Sequence, residues 1–357
     1  MRYAMTLAGA LVLVTALTSF KARAQDLRPV SPVSATSSSD WIAEVAAEGL
    51  DYPWEIQEAD GRIWITEAAG NVVSIENGRL ARHPVRTSDP IAREGGGGLL
   101  GMALLKDFDT SGIAYFYQTY RASGGLANKV IEARFDGNSW RETRVIIDGI
   151  PGHLLYNGGR VAIGPDGNLY VMTGQTENRH RPQDVSSLAG KVLRMTVDGK
   201  VPADNPFPGS YVYSLGHRNP QGLAWDPEGR MFVAEHGQSA HDEINLVLPG
   251  RNYGWPIIFG DEDRQGMERP LLHSGNQTWA PSGIVFAGTE LLVATLVGKG
   301  LYAFDERAKT LKPILTTGER IRDVLPVGRD IYLITTNRSP RAEGPSEDRL
   351  LKLTRKP

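Results

Sequence analysis

The chain reads as an all-β protein, a six-bladed β-propeller built as one domain, and three observations predict it. A Gly-containing turn, a short run of β-branched, aromatic and aliphatic residues, and a second such run recur six times. The interval of roughly 40 to 60 residues is the period of propeller blades. Few windows carry a long apolar stripe of 3.6-residue period, so helix is minor. A unit this small cannot bury both faces of its own sheet. Packing the units radially does so and leaves only short, protected edges.

Taken in order, the 357 residues begin with a segment of targeting character. Arg2 supplies a positive start, Ala4 to Phe20 is apolar with Thr and Ser interspersed, and Ala22-Arg23-Ala24 offers a small-x-small cleavage pattern. Residues 1–24 are therefore expected to be a secretory signal, because the apolar run is at the short end for spanning a bilayer. Removing Arg2, Lys21 and Arg23, three positive charges, takes the formal charge from −2 to −5. The expected location is periplasmic or secreted, with no stable membrane insertion after cleavage. Residues 25–40, Ser/Pro-rich from Ser31 to Ser39, form a lead-in, and residues 41–357 form the propeller.

Within that domain the first runs of the units are Arg62–Thr66, Ile113–Tyr117, Asn168–Met172, Arg230–Ala234, Glu290–Ala294 and Asp330–Ile334. Their partners are Val72–Ile75, Val130–Phe135, Val192–Met195, Ile244–Val247, Gly300–Phe304 and Leu350–Leu353. Propellers bind ligands where loops converge at the mouth of the central channel, so long insertions locate a site. Here these are Gly174–Leu188, His236–Glu243 and Asn252–Pro281.

Composition excludes several chemistries. With no cysteine there is no disulfide scaffold, thiolate zinc site, CxxC redox pair or cysteine nucleophile. The near-neutral charge lacks the basic surplus of a nucleic-acid binder. Seven histidines are present, but no GxSxG elbow and no HExxH pair. Gly95-Gly-Gly-Gly98 lacks the GKS/T ending of a phosphate cradle and reads as a loop permitting close backbone approach.

Three segments concentrate polar chemistry. Gly216–Ala224 sets Arg218 beside Asn219, a fork donor and an amide suited to a carboxylate- or carbonyl-rich ligand. Glu235–Asn245, followed by Gly250–Pro256, combines adjacent acids with free carbonyls, as a calcium site would; the residues alone fit a solvated acidic loop equally well. Arg320 and Arg322 alternate and so point to one side of an extended segment, implying an anionic partner or ordinary surface charge.

These pieces in this order resemble the PQQ-dependent soluble glucose and aldose sugar dehydrogenases, the glucose/sorbosone dehydrogenase family. The resemblance runs through Tyr52-Pro-Trp54, Gly98-Leu-Leu-Gly101, Asn157-Gly-Gly-Arg160, Gly216–Gly222, Asp242-Glu-Ile-Asn245, Asn252–Pro256, Trp279–Ser282 and Arg320–Asp323. It implies a six-bladed propeller, a sugar substrate and an external electron acceptor. Arg218, Asn219, Arg320 and Arg322, with Lys299 and Trp279, would hold PQQ, a planar tricarboxylate that needs fixed cationic forks. Glu243 and the carbonyls of Tyr253, Gly237 and Gln238 would hold Ca2+.

Three positions depart from the family pattern. Tyr156 stands where a catalytic histidine is expected, Gln175 where the aspartate that orients it is expected, and Gly96 where a glutamine is expected. A phenol with an ordinary pKa near 10 is a poor base at neutral pH. His153, three residues upstream, is a substitute base only if that loop is remodelled. The expectation is therefore a calcium-containing sugar oxidoreductase with an altered reaction centre. The alternatives are a catalytically impaired propeller that still binds PQQ or a sugar-like ligand, and a calcium-dependent hydrolase or lactonase of the same fold.

Overall fold

The structure, a computed structural model, describes residues 36–37, 40–339, 342 and 344–356. The expected signal at 1–24, and most of the 25–40 lead-in, lie outside the described residues. The protein is all-β. Its only described helices are Phe108–Ser111 and a 3-10 turn at Arg181–Gln183.

Every run picked out from the sequence falls on a strand, with only Asn168 and Arg230 lying one residue before theirs, and each pair is the middle of a four-stranded antiparallel unit. The pair Arg62–Glu67 and Asn71–Glu76, for example, is flanked by Pro53–Ala59 on one side and Arg79–Arg86 on the other. The middle strands are buried on both faces, which is why they read as continuous apolar runs. The innermost strands are Pro53–Ala59, Leu99–Leu104, Gly158–Ile163, Pro220–Trp225, Pro281–Ala287 and Ile321–Val327. Each packs against the next, and the last packs against the first, closing a ring.

Hydrogen bonding divides the strands into five sheets, not six. The edge strands Arg79–Arg86 and Trp140–Pro151 pair in parallel through Val85–Trp140 and Arg86–Arg141, fusing two meanders into one eight-stranded sheet. The N-terminal strand Trp41–Leu50 pairs with the C-terminal strand Asp348–Arg355, so the last sheet is completed by the beginning of the chain.

All six innermost strands carry a register shift at their start. A bulge bends a strand and re-aims its first side chains; here Trp54, Leu100, Gln221 and Arg322 of these stretches border one shared cavity. Glycine is required where neighbouring inner strands meet. A Cβ on Gly101 would collide with the Gly159 carbonyl, and one on Gly222 with the Ser282 carbonyl.

A buried ion cluster crosses the axis below the mouth. Arg160 Nη1 lies 2.5 Å from Glu55 Oε2 and 2.8 Å from Asp323 Oδ2, while Arg160 Nε donates to the Gln221 carbonyl at 2.9 Å. Asp323 also accepts from the Ile56 N–H at 3.1 Å, and the Arg160 guanidinium stacks 4.5 Å from the Trp54 ring. Four inner strands are thus tied through one side chain. Burial pushes the Glu55 carboxyl up to about 8 despite the pull of Arg160. The neighbouring Asp323 carboxylate pushes in the same direction as burial.

Arg160→Met should therefore be strongly destabilising, since it leaves a buried carboxylate without a partner. We expect a loss of about 3–5 kcal/mol, read as a lower urea midpoint. A midpoint within error of the wild type would show that the cluster is not what holds the ring.

Candidate functional site

The loops entering the innermost strands share one end of the ring, and their side chains enclose a cavity of about 220 Å³. Arg93, Tyr156, Asn219, His236, Arg320 and Arg322 contribute to its wall, which contains no aspartate or glutamate. Two further cavities adjoin it, one across His236 and the other across Tyr156, and Arg218 borders both of these. One, of about 10 Å³, is bounded by Glu235, Gly237, Glu243 and Tyr253. The other, of about 510 Å³, is bounded by Tyr156, Gln175, Arg179, Gln238 and Trp255.

The cations are held by backbone carbonyls and neutral side chains, not by acids. Arg320 Nε donates to the Thr336 carbonyl at 3.0 Å, and Arg218 Nη1 to the His236 carbonyl at 3.1 Å. Arg322 Nη1 donates to Gln221 Oε1 at 3.0 Å and Ser282 Oγ at 3.2 Å. Burial, and then the positive charges of Arg320 and Arg160, press the Arg322 guanidinium down to about 9. The Nε atoms of Arg218 and Arg322 are buried with no hydrogen-bond partner.

His236 is fixed in one tautomer by a relay. Asn219 Oδ1 accepts from the Gly158 N–H at 3.3 Å and Gln221 Nε2 at 3.2 Å, so the Asn219 amide nitrogen faces His236 Nδ1, 3.3 Å away. With Nδ1 accepting, the ring proton sits on Nε2, a buried atom with no partner. Burial, with Arg322, Arg218 and Arg320 overcoming Asp242, pushes this imidazole down to about 4. It is a neutral donor aimed at whatever occupies the mouth.

Glu243 and Tyr253 border one small cavity with Gly237, a space of the size of a single small ion or water. Glu243 accepts from the Gly260 N–H and from Asn245 Nδ2, both at 3.2 Å. Burial and then the neighbouring Glu235 charge raise its carboxyl to about 8. Gly237 sits in a loop so tight that a Cβ would strike the Ala240 and His241 carbonyls. The Gln238 side chain faces the larger outer cavity, where its Oε1 accepts from Arg179 Nη2 at 2.5 Å. Among the described residues no three acidic or imidazole side chains form a metal cluster, so backbone carbonyls would have to complete a cation's shell.

Tyr156 and Gln175 meet at the outer cavity. The Arg218 guanidinium lies 4.2 Å from the Tyr156 ring centroid, and Gln175 Oε1 accepts from Trp255 Nε1 at 2.9 Å. Tyr156, Thr176, Glu177 and Ser239 all have positive φ, the kind of backbone strain that gathers at functional loops. Lys191 pins the strained 174–188 loop by donating from a buried Nζ to the carbonyls of Arg181, Pro182 and Ala189.

Three residues expected at the site lie away from these cavities. His153 borders none of them, and its Nδ1 accepts from the Leu155 N–H at 3.2 Å. Lys299 is exposed and, like Trp279, is absent from the walls; Leu296 of the same segment faces the main cavity instead. Trp279 donates its N–H to Asp242 Oδ2 at 2.6 Å. Sequence reasoning in turn missed Arg93, His236 and Gln221. His236 and Gln221 lay within quoted segments, whereas Arg93 carried no motif.

The fold and the site define a β-propeller whose channel mouth gathers cationic side chains. Residues 50–342 match the Glucose / Sorbosone dehydrogenase family, and the chain belongs to it. It is 34% identical over 243 residues to quinoprotein glucose dehydrogenase B of Acinetobacter calcoaceticus, covering 58% of this chain and only 50% of that relative. It is 28% identical over 353 residues to the aldose sugar dehydrogenase YliI of Escherichia coli, covering 85% of this chain and 93% of the relative. The PQQ-bound aldose sugar dehydrogenase of Streptomyces coelicolor superposes with a TM-score of 0.79 at 33% identity, covering 90% of this chain and 100% of that one.

Because Arg322 is buried among like charges, its removal should relieve the ligand-free protein while disabling the mouth. Arg322→Met should melt at or above the wild-type temperature in differential scanning fluorimetry without ligand. A clearly lower melting temperature would mean that Arg322 is a structural residue.

Proposed function

We propose that this chain is a six-bladed propeller that binds PQQ and Ca2+ at the channel mouth and acts on sugars as an exported oxidoreductase with an altered reaction centre. The six-blade count treats the eight-stranded sheet as two blades joined at their outer edges by the Val85–Trp140 pairing. The observation that carries the functional reading is the set of buried, unpartnered donors at the mouth: Arg322 Nε and His236 Nε2 on a wall without carboxylates, and Arg218 Nε in the cavities beside it. A planar tricarboxylate satisfies such donors, so the residues fit PQQ. The Gly237, Glu243 and Tyr253 cavity fits a hard cation with oxygen ligands, because a positive charge there offsets the burial and the neighbouring Glu235 charge that raise the Glu243 carboxyl.

In this reading Arg218, Asn219, Arg320 and Arg322 bind and orient the cofactor, and His236 donates its Nε2 proton in a hydrogen bond to an acceptor atom. Bound PQQ would supply a two-electron acceptor, with electrons leaving to an external acceptor. Tyr156 is the residue nearest in role to a base, yet its ring lies beside the Arg218 guanidinium and Gln175 offers it no negative charge. That arrangement favours, as a second reading, a propeller that binds the cofactor or a sugar-like ligand with impaired turnover.

Titration of the purified protein with PQQ and Ca2+, followed by aldoses and an artificial electron acceptor, separates these readings. We expect PQQ to bind and aldose turnover at neutral pH to be low, because general-base assistance is typically worth about 10²- to 10⁴-fold. Tyr156→His with Gln175→Asp should restore more rate than the two single changes combined, since base and orienting acid act as a unit. Vigorous wild-type aldose oxidation would overturn the altered-centre reading, and failure to bind PQQ would overturn the cofactor.

A further inference from the structure

The cofactor reading uses Arg218, Arg320 and Arg322, but the mouth holds another cation. Arg93 borders the main cavity, its guanidinium stacked 3.9 Å from the Tyr52 ring centroid and its Nη2 buried without a partner. The acid beside it in sequence, Glu94, is taken by Arg121 at 2.6 Å. No carboxylate borders the cavity to neutralise Arg93.

Its place in the ring separates it from the others. Arg218 enters the fourth innermost strand, and Arg320 and Arg322 lie at the start of the sixth, so these three cations flank the fifth. Arg93 enters the second, on the opposite side of the closed ring. There it adjoins the Tyr156 loop, because the Gly96 N–H donates to the Leu154 carbonyl at 2.8 Å.

The glycines that follow Arg93 open room beside it. Gly95 and Gly97 are crowded, since a Cβ would press on the Leu154 backbone or on Thr119. Gly96 is not: a Cβ there would meet only the Leu154 carbonyl oxygen at 3.6 Å, ordinary contact. A side chain is therefore sterically allowed at Gly96 and is absent, leaving space next to a rigid, unpaired guanidinium. A planar fork in that setting matches a carboxylate.

We propose that the substrate is an acidic sugar of the hexuronate class, with Arg93 binding its carboxylate on the Tyr156 side of the mouth. This rests on the cofactor reading above, in which the other three cations are occupied by PQQ.

The test is calorimetric titration of sodium D-glucuronate and of D-glucose into protein loaded with PQQ and Ca2+, for wild type, Arg93→Gln and Arg93→Lys. Cofactor affinity is followed in parallel by the absorbance of bound PQQ. We expect glucuronate to bind the wild type about tenfold to a hundredfold more tightly than glucose, the range for a hydrogen bond to a charged group. Arg93→Gln should remove that preference and Arg93→Lys should retain part of it, with PQQ affinity unchanged in both. Equal binding of the two sugars to the wild type overturns the proposal. A fall in PQQ affinity in Arg93→Gln also overturns it, by assigning Arg93 to the cofactor. If PQQ does not bind the wild type, the cofactor reading fails; the same titrations on the cofactor-free protein then decide Arg93 alone, and a missing glucuronate preference there overturns its role.

Discussion

The rest of the structure depends on one buried side chain, Arg160. It reaches across the axis from the third inner strand to carboxyls on the first and sixth and to a carbonyl on the fourth. A ring of separately folded meanders has few covalent reasons to close, and non-polar packing between neighbours does not select one rotation about the axis. A charge that is buried, and must therefore be paired, does select one. Because Arg160 follows Tyr156 and Asn157 in the chain, the same ion cluster sets the height of the loop that carries the reaction-side residues. Function at the mouth is positioned by electrostatics at the floor.

That floor also shapes the chemistry above it. Arg160 contributes to the repulsion felt by Arg322, which lies on the same strand as Asp323 and is held by neutral partners only. The mouth is therefore a concentration of positive charge whose donors are incompletely satisfied inside the protein. Such a site is costly to fold and well prepared to bind, the usual compromise of a preorganised ligand cradle. His236 belongs to it. The Asn219 relay makes it a donor, so the imidazole in the cavity wall presents an N–H and not a lone pair to the mouth.

The departures from the family pattern fall on one side of this cradle. The side flanking the fifth unit carries Arg218, Asn219, Arg320 and Arg322, and the adjoining acidic cavity holds Glu243 beside Tyr253. The opposite side carries Tyr156, Gln175, Gly96 and Arg93, where the family resemblance implies a histidine, an aspartate and a glutamine at the first three. Cofactor capture and substrate chemistry are physically separable in such an arrangement, because different strands carry them. The mouth therefore sets a cationic face on one side against Tyr156, Gln175 and Arg93 on the other.

How much of this was legible in the sequence follows from what each residue depends on locally. The middle strands of each unit were readable because burial on both faces demands unbroken apolar runs such as Ile63-Trp-Ile65 and Leu291-Leu-Val-Ala294. The innermost strands were not, because their bulges and close approaches require Gly, Pro and polar residues that read as turns. Arg218, Asn219, Arg320, Arg322 and Glu243 stood out through motif order, and the structure brings them to one end of the ring. Lys299, Trp279 and His153 sit in equally plausible segments but face elsewhere, since a loop's sequence does not determine which of its side chains turns inward. The pairing of Trp41–Leu50 with the C-terminal strand, the fusion at Val85–Trp140 and the approach of Arg93 to the mouth join residues far apart in the chain or lacking any motif. By itself the sequence determined the repeat, its strand cores and the identity of most of the cations. Only the tertiary structure decided which of them converge, because that is set by ring closure and buried charge pairing, which have no local signature.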